Sequence, residues 1–209
     1  MIYAIGNSHA HVFTDSPPNY KLIGSKDVFK SISLGPTIAY NFFEHHYTNV
    51  LSNISKLDIQ KDDSIILVVG EVDCRWHLPK QSSIQNRNIN DLVKECIDRF
   101  YRSHLDLKSS GYNVISWGGH PSTNGGHDEN PNQPVFGNVF FRNEITRLWD
   151  NYLQTKSNEH CIPHVSIVDE LINDDNSTKM EYYIDYCHLN YKMINNIVVK
   201  KFKEINIFV

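Results

Sequence analysis

Residues 64–69 read SIILVV and stop at Gly70. An uninterrupted apolar run this short is what a β-strand buried on both faces requires, and such strands belong to parallel sheets covered by helices on each side. Shorter or weaker runs lie on either side of it: 1–5 (MIYAI) ending at Gly6, 29–34 (FKSISL) ending at Gly35-Pro36, 112–117 (YNVISW) and 165–168 (VSIV). Segments of helical period fill the gaps. Residues 37–54 follow a proline suited to a first turn. Residues 90–107 put Leu92, Cys96, Ile97, Phe100, Tyr101 and Leu105 on one stripe, with Asn90 as a candidate cap. Residues 139–153 and 191–205 repeat the pattern. Strands alternating with helices predict an α/β fold: a three-layer α/β/α sandwich, flavodoxin-like in outline, with a mostly parallel five-stranded sheet. The length of 209 residues fits a single domain over 1–209.

Composition narrows the function. Hydrophobic residues make up 40% and aromatics 11%, too rich for a disordered chain. Lys plus Arg number 20 against 24 Asp plus Glu, so no broad basic field exists for nucleic acid. Cys74, Cys96, Cys161 and Cys187 form no C-x-x-C pair, which argues against a zinc knuckle or disulfide scaffold and for reduced thiols in a cytoplasmic protein. The first residues lack a basic n-region and an apolar signal core, and no run of about 18 apolar residues predicts a membrane span.

Two irregular stretches follow strands and would share one rim of a parallel sheet. They are 118–137, rich in Gly, Pro, Asn and His, and 74–89. Loops of the first length are often lids or binding loops. His120 and His127 lie in it.

Gly6-Asn7-Ser8-His9 places a hydroxyl just past the first strand, where open α/β sheets bind ligands. Serine is a poor nucleophile without a base in reach. Asp185-Tyr186-Cys187-His188, ahead of the last helical segment, supplies one. On a turn the carboxylate reaches one ring nitrogen, and the other is left to take the serine proton.

With these blocks in this order, the chain resembles the SGNH hydrolases, the GDSL-type esterases and lipases. The resemblance matches Gly6-Asn7-Ser8-His9 to block I and Asp185 with His188 to block V. Gly35 is the block II oxyanion glycine, and Gly70-Glu71-Val72-Asp73 occupies the place of block III G-x-N-D. It implies acyl-ester chemistry: Ser8, Asp185 and His188 catalytic, and Ser8 and Gly35 N–H groups in the oxyanion hole. No metal or organic cofactor is required. Two departures stand out. Asn7 replaces an aspartate, and Val72 replaces the asparagine that donates to the oxyanion. Such a donor is worth about 2.7–4 kcal/mol in other serine enzymes. Arg75 is the candidate replacement donor, within a G-E-x-D-x-R pattern found among bacterial SGNH-like proteins. Glu71, Asp73 and His120 are candidate substrate contacts. The polar loop favours a small O-acyl group such as acetyl on a carbohydrate, hydrolysed or transferred, so the expected partner is a small-molecule or glycan ester.

Two rivals come from other classes. A pocket without its block III donor would suit a ligand-binding domain with weak or no catalysis, although such a module has no need of serine, acid and histidine together. Eleven histidines, with His9-x-His11 after the first strand and His120 after a later one, also suit a metal-dependent hydrolase. The barrel folds that use such a pair usually need about 250 residues.

Overall fold

The structure is a computed structural model that describes residues 1–14, 23–26, 28–123 and 134–207. Strands β1 (Ile2–Gly6), β2 (Ile23–Lys26), β3 (Phe29–Ser33), β4 (Ser64–Val68), β5 (Asn113–Trp117) and β6 (His164–Val165) form one sheet in the order β2-β3-β1-β4-β5-β6. Five of them run parallel, as the apolar runs predict. The sixth, β2, is an antiparallel edge strand on β3 that the apolar pattern did not predict. β6 is shorter than expected, because Val168 already belongs to a helix.

The helices are α1 (Phe42–His45), α2 (Tyr47–Lys56), α3 (Leu78–Gln85), α4 (Ile89–Ser109), α5 (Val139–Glu159), α6 (Val168–Leu171) and α7 (Tyr191–Glu204). Two cores sit on opposite faces of the sheet, set by the strand alternation. Tyr3, Ile5, Ile65 and Leu67 face α2, α4 and α5, where Val50, Phe100 and Trp149 are buried. Ile2, Ala4, Ile66 and Val68 face the other way, onto Phe13 and the Ile194, Val198 and Phe202 stripe of α7. This is the three-layer sandwich. Among the described residues no helix is long and apolar enough to cross a membrane.

Local chemistry moves several boundaries. Asn88, not Asn90, caps α4, its side chain accepting from the Asn90 N–H. Asn138 and Asn190 cap α5 and α7 in the same way. The expected helix over 37–54 begins only at Phe42 and breaks at His46. Residues 74–89, read as irregular, are largely helical: a π-helical turn, Asp73–His77, runs straight into α3.

The connections set the position of the site. From β1 the chain goes to β3 on one side and later to β4 on the other, so direction switches at β1. In open α/β sheets the crevice at the carboxyl ends of strands beside such a switch is where ligands bind.

Candidate active site

The carboxyl end of β1 leads into a short 3-10 helix, Ser8–Phe13. Asn7 caps it, its Oδ1 accepting the His9 N–H at 3.0 Å. Ser8 therefore sits at the first helical position and does not serve as the cap itself. Its Oγ lies 2.8 Å from His188 Nε2. On the far side of that ring, Nδ1 is 2.7 Å from Asp185 Oδ2. The three side chains predicted from motifs 177 residues apart thus form one continuous chain.

The turn that carries the dyad is self-supporting. Asp185 Oδ1 accepts the N–H groups of Cys187 and His188 at 2.8 and 2.7 Å. Burial pushes the Asp185 carboxyl up, but the His188 bond and these two amides override it and hold it well below the usual range. The Ile184 N–H donates to the His188 carbonyl, closing the loop before α7. The Tyr183 hydroxyl donates to the Pro121 carbonyl at 2.6 Å, and Thr123 donates to the Tyr186 carbonyl. The segment after β5 is laced to the dyad in this way. Buried Arg142 ties that segment down, through Ser122 Oγ, the Thr123 carbonyl and the Gly137 carbonyl.

His11 bridges the segments that carry Ser8 and His188. Its Nδ1 lies 2.7 Å from the Ser8 carbonyl and its Nε2 lies 2.9 Å from the Leu189 carbonyl. Burial lowers its pKa to about 4, so at neutral pH it has one N–H to give and one of the two carbonyls receives it.

Around this line lies a buried ionic group. Glu71 accepts from Arg75 Nε at 2.6 Å and Nη2 at 3.3 Å, and its Oε2 is 3.0 Å from His9 Nε2. Burial alone would raise the Glu71 carboxyl, yet the Arg75 and His9 neighbours hold it far below the usual range. Burial lowers His9 despite Glu71, so its ring is neutral and Nε2 carries the hydrogen donated to the carboxylate. The His9 ring stacks 5.0 Å from those of both His188 and His120.

No protein-family model matches this chain, and no curated protein does. Solved structures do. A GDSL-like lipase from Bacteroides thetaiotaomicron VPI-5482 aligns with a TM-score of 0.63 at 13% identity, over 99% of this chain and 88% of its own. A carbohydrate acetylesterase from Sinorhizobium meliloti gives 0.58 at 12%, over 99% of both chains. An acetyl xylan esterase gives 0.57 at 11%, over 98% of this chain and 100% of its own. The chain has the SGNH-hydrolase fold.

Within that fold the remaining predicted residues fall into distinct places. Gly35 lies just past β3 with φ +79°, a conformation glycine adopts without strain, and its N–H leans on Ser33 Oγ at 3.3 Å. The Leu34 N–H donates to the Gly6 carbonyl, which brings this turn beside the serine turn. Val72 offers no donor. Arg75, the candidate third donor, directs Nε and Nη2 to Glu71 and Nη1 to the Pro134 carbonyl. Glu71 likewise spends both oxygens on His9 and Arg75.

Asp73, a candidate substrate contact, faces backbone amides. It is fully buried, and it accepts the Ala39 N–H at 2.7 Å and the Tyr40 N–H at 3.4 Å, pinning the loop that begins at Gly35. Burial pushes its pKa up to about 7. His120 is buried against His9 and Trp117, with Nε2 unpartnered. His127 lies outside the described residues. His9 and His11 earned attention in the sequence only as an H-x-H pair; their proximity to Ser8 in the chain was the available signal. Both His11 nitrogens face carbonyls, which removes His11 from any metal-ligand set.

Proposed function

We propose that this protein is an SGNH-type serine esterase, a single domain acting on a small O-acyl group such as acetyl, on a carbohydrate. The observation that carries this reading is the unbroken Ser8–His188–Asp185 chain, at 2.8 and 2.7 Å, in the crevice beside β1. A ligand-binding module gains nothing from that alignment.

In this mechanism Ser8 Oγ attacks the ester carbonyl as its proton passes to His188 Nε2. Asp185 stabilises the imidazolium that results. The N–H groups of Ser8 and Gly35 receive the oxyanion, and the Gly35 N–H exchanges its long contact with Ser33 for the new acceptor. On collapse His188 returns the proton to the leaving alkoxide, and an acyl-Ser8 ester remains. Water, or an acceptor hydroxyl in the transfer version, then attacks the acyl carbon as its proton passes to His188, and on collapse that proton returns to Ser8 Oγ as the acyl group leaves. All the charge that develops is handled by side chains and amides, so the scheme needs no metal. The acetylated sugars named for two of the structural neighbours support the small-acyl preference.

Turnover of p-nitrophenyl acetate by wild type and Ser8→Ala, with intact-mass detection of an acetyl adduct, tests this. Serine-dependent turnover with one acetyl group trapped on the wild type is expected. Equal rates in the two proteins, with no adduct on any acetyl donor tried, would remove the reading.

A further inference from the structure

Two histidines beside Ser8 are oriented in the same manner. Asp185 holds Nδ1 of His188, leaving Nε2 toward Ser8. Glu71 holds Nε2 of His9, leaving Nδ1 buried and without a partner among the described residues. A carboxylate on one ring nitrogen with a bare lone pair on the other is the arrangement that prepares histidine for a metal, because it fixes the tautomer and raises the basicity of the free nitrogen. Between them sits Cys187, its Sγ 3.5 and 3.9 Å from the two His188 nitrogens. Among the described residues, His9, Cys187 and His188 gather one ligand atom each within 4.8 Å of one another, and all three are buried.

We propose that His9, Cys187 and His188 form a binding site for zinc(II), and that its occupation switches the serine chemistry off. Two nitrogens and a sulfur suit a borderline-soft divalent cation. Zn–N bonds of about 2.0–2.1 Å and a Zn–S bond of about 2.3 Å put tetrahedral ligands roughly 3.3–3.8 Å apart. Cys187 Sγ lies 3.9 Å from His188 Nε2, just beyond that range, and the three ligand atoms, at most 4.8 Å apart, close the remaining ångström or less by rotation about the side-chain bonds. On binding, the Cys187 thiol proton leaves to water as the Zn–S bond forms. The His188 Nε2 lone pair then goes to the metal, and its contact with Ser8 is broken. The fourth position takes water. Ion binding stands independently of the esterase reading, whereas the loss of turnover rests on it.

The test uses the full chain. Zinc is titrated in competition with a chromogenic chelator, cobalt(II) is used as a spectroscopic stand-in, and p-nitrophenyl acetate turnover is followed in parallel. The expected result is one zinc per chain and a thiolate-to-cobalt absorption band. Cys187→Ser should abolish the band and weaken zinc more than tenfold, roughly the scale of a perturbed metal shell. Zinc should stop wild-type turnover and a chelator should restore it, and whatever turnover Cys187→Ser retains should resist zinc. His9→Gln gives a second variant in case Cys187→Ser folds poorly, and it too should bind zinc more weakly. Zinc bound equally by wild type and both variants, or not bound stoichiometrically at all, overturns the site. Cysteine-dependent binding in a protein without any serine-dependent turnover would leave the ion site standing and remove the esterase reading alone.

Discussion

Glu71→Gln separates a structural role for the buried ionic group from a substrate-binding one. The substitution keeps the side-chain volume and removes the charge. In the wild type the Glu71 and Arg75 side chains are 1% and 6% exposed, and the pair meets at 2.6 Å. Neutralising Glu71 removes the charge that meets the buried Arg75 guanidinium and takes the carboxylate from His9. Breaking a buried pair from one side costs about 3–5 kcal/mol. For a chain of this length each kcal/mol moves Tm by about 2–4 °C, so the expected fall is roughly 6–20 °C. Urea melts and differential scanning calorimetry measure it. The double variant Glu71→Gln/Arg75→Met should recover part of the loss, since it removes both members of the buried pair together. Because its neighbours depress the Glu71 pKa, the stabilisation is in place above the ordinary glutamate value of about 4.3 and is lost as the pH falls below it. A Glu71→Gln protein within about 1 kcal/mol of wild type, well below the cost of a broken buried pair, and with a raised KM, would refute the structural account and return Glu71 to the substrate.

Asp185→Asn should keep the Oδ1 bonds to the Cys187 and His188 amides and so preserve the turn, while its NH2 faces Nδ1 and favours the wrong tautomer. The expected result is a fall in kcat of about 10⁴-fold with Tm nearly unchanged, read from steady-state kinetics beside a thermal melt. Asp73 gives a pH test. Its folded pKa of about 7 lies above the unfolded value, so the native state binds the extra proton and stability declines as pH rises from about 4 through about 7. The slope approaches about 1.4 kcal/mol per pH unit in wild type and should be flatter in Asp73→Asn, as urea melts across that range would show.

The sheet was legible in the sequence because its interior strands are buried on both faces and so cannot alternate: Ile65, Ile66, Leu67 and Val68 are each 1% exposed or less. The edge strand β2 was not legible, since its sequence, IGSK, carries neither an apolar run nor a clean alternation. Ser8, Asp185 and His188 were legible from chemistry, because each residue type has a specific task and the turns around them fix where the tasks can meet. The His9–Glu71 contact was not, since it joins residues 62 positions apart through a pairing that follows only from β1 lying beside β4.

Glu71, Asp73 and Arg75 share one difficulty in the sequence: an ion-pair network holding their segment and contact with a substrate suit the same charged residues equally. On a loop, Glu71, Asp73 and Arg75 fan into a crevice and all three suit a substrate. On a helix, residues four apart share a face while a residue two away points to the other side. The structure is helical here, so Glu71 and Arg75 meet as an i,i+4 pair facing His9. Asp73 faces the Ala39 and Tyr40 amides instead. Glu71 turns toward His9, immediately after Ser8, so the segment reaches the serine turn through a carboxylate fixed by Arg75. This links the serine turn to the end of β4 by a histidine–carboxylate–guanidinium chain.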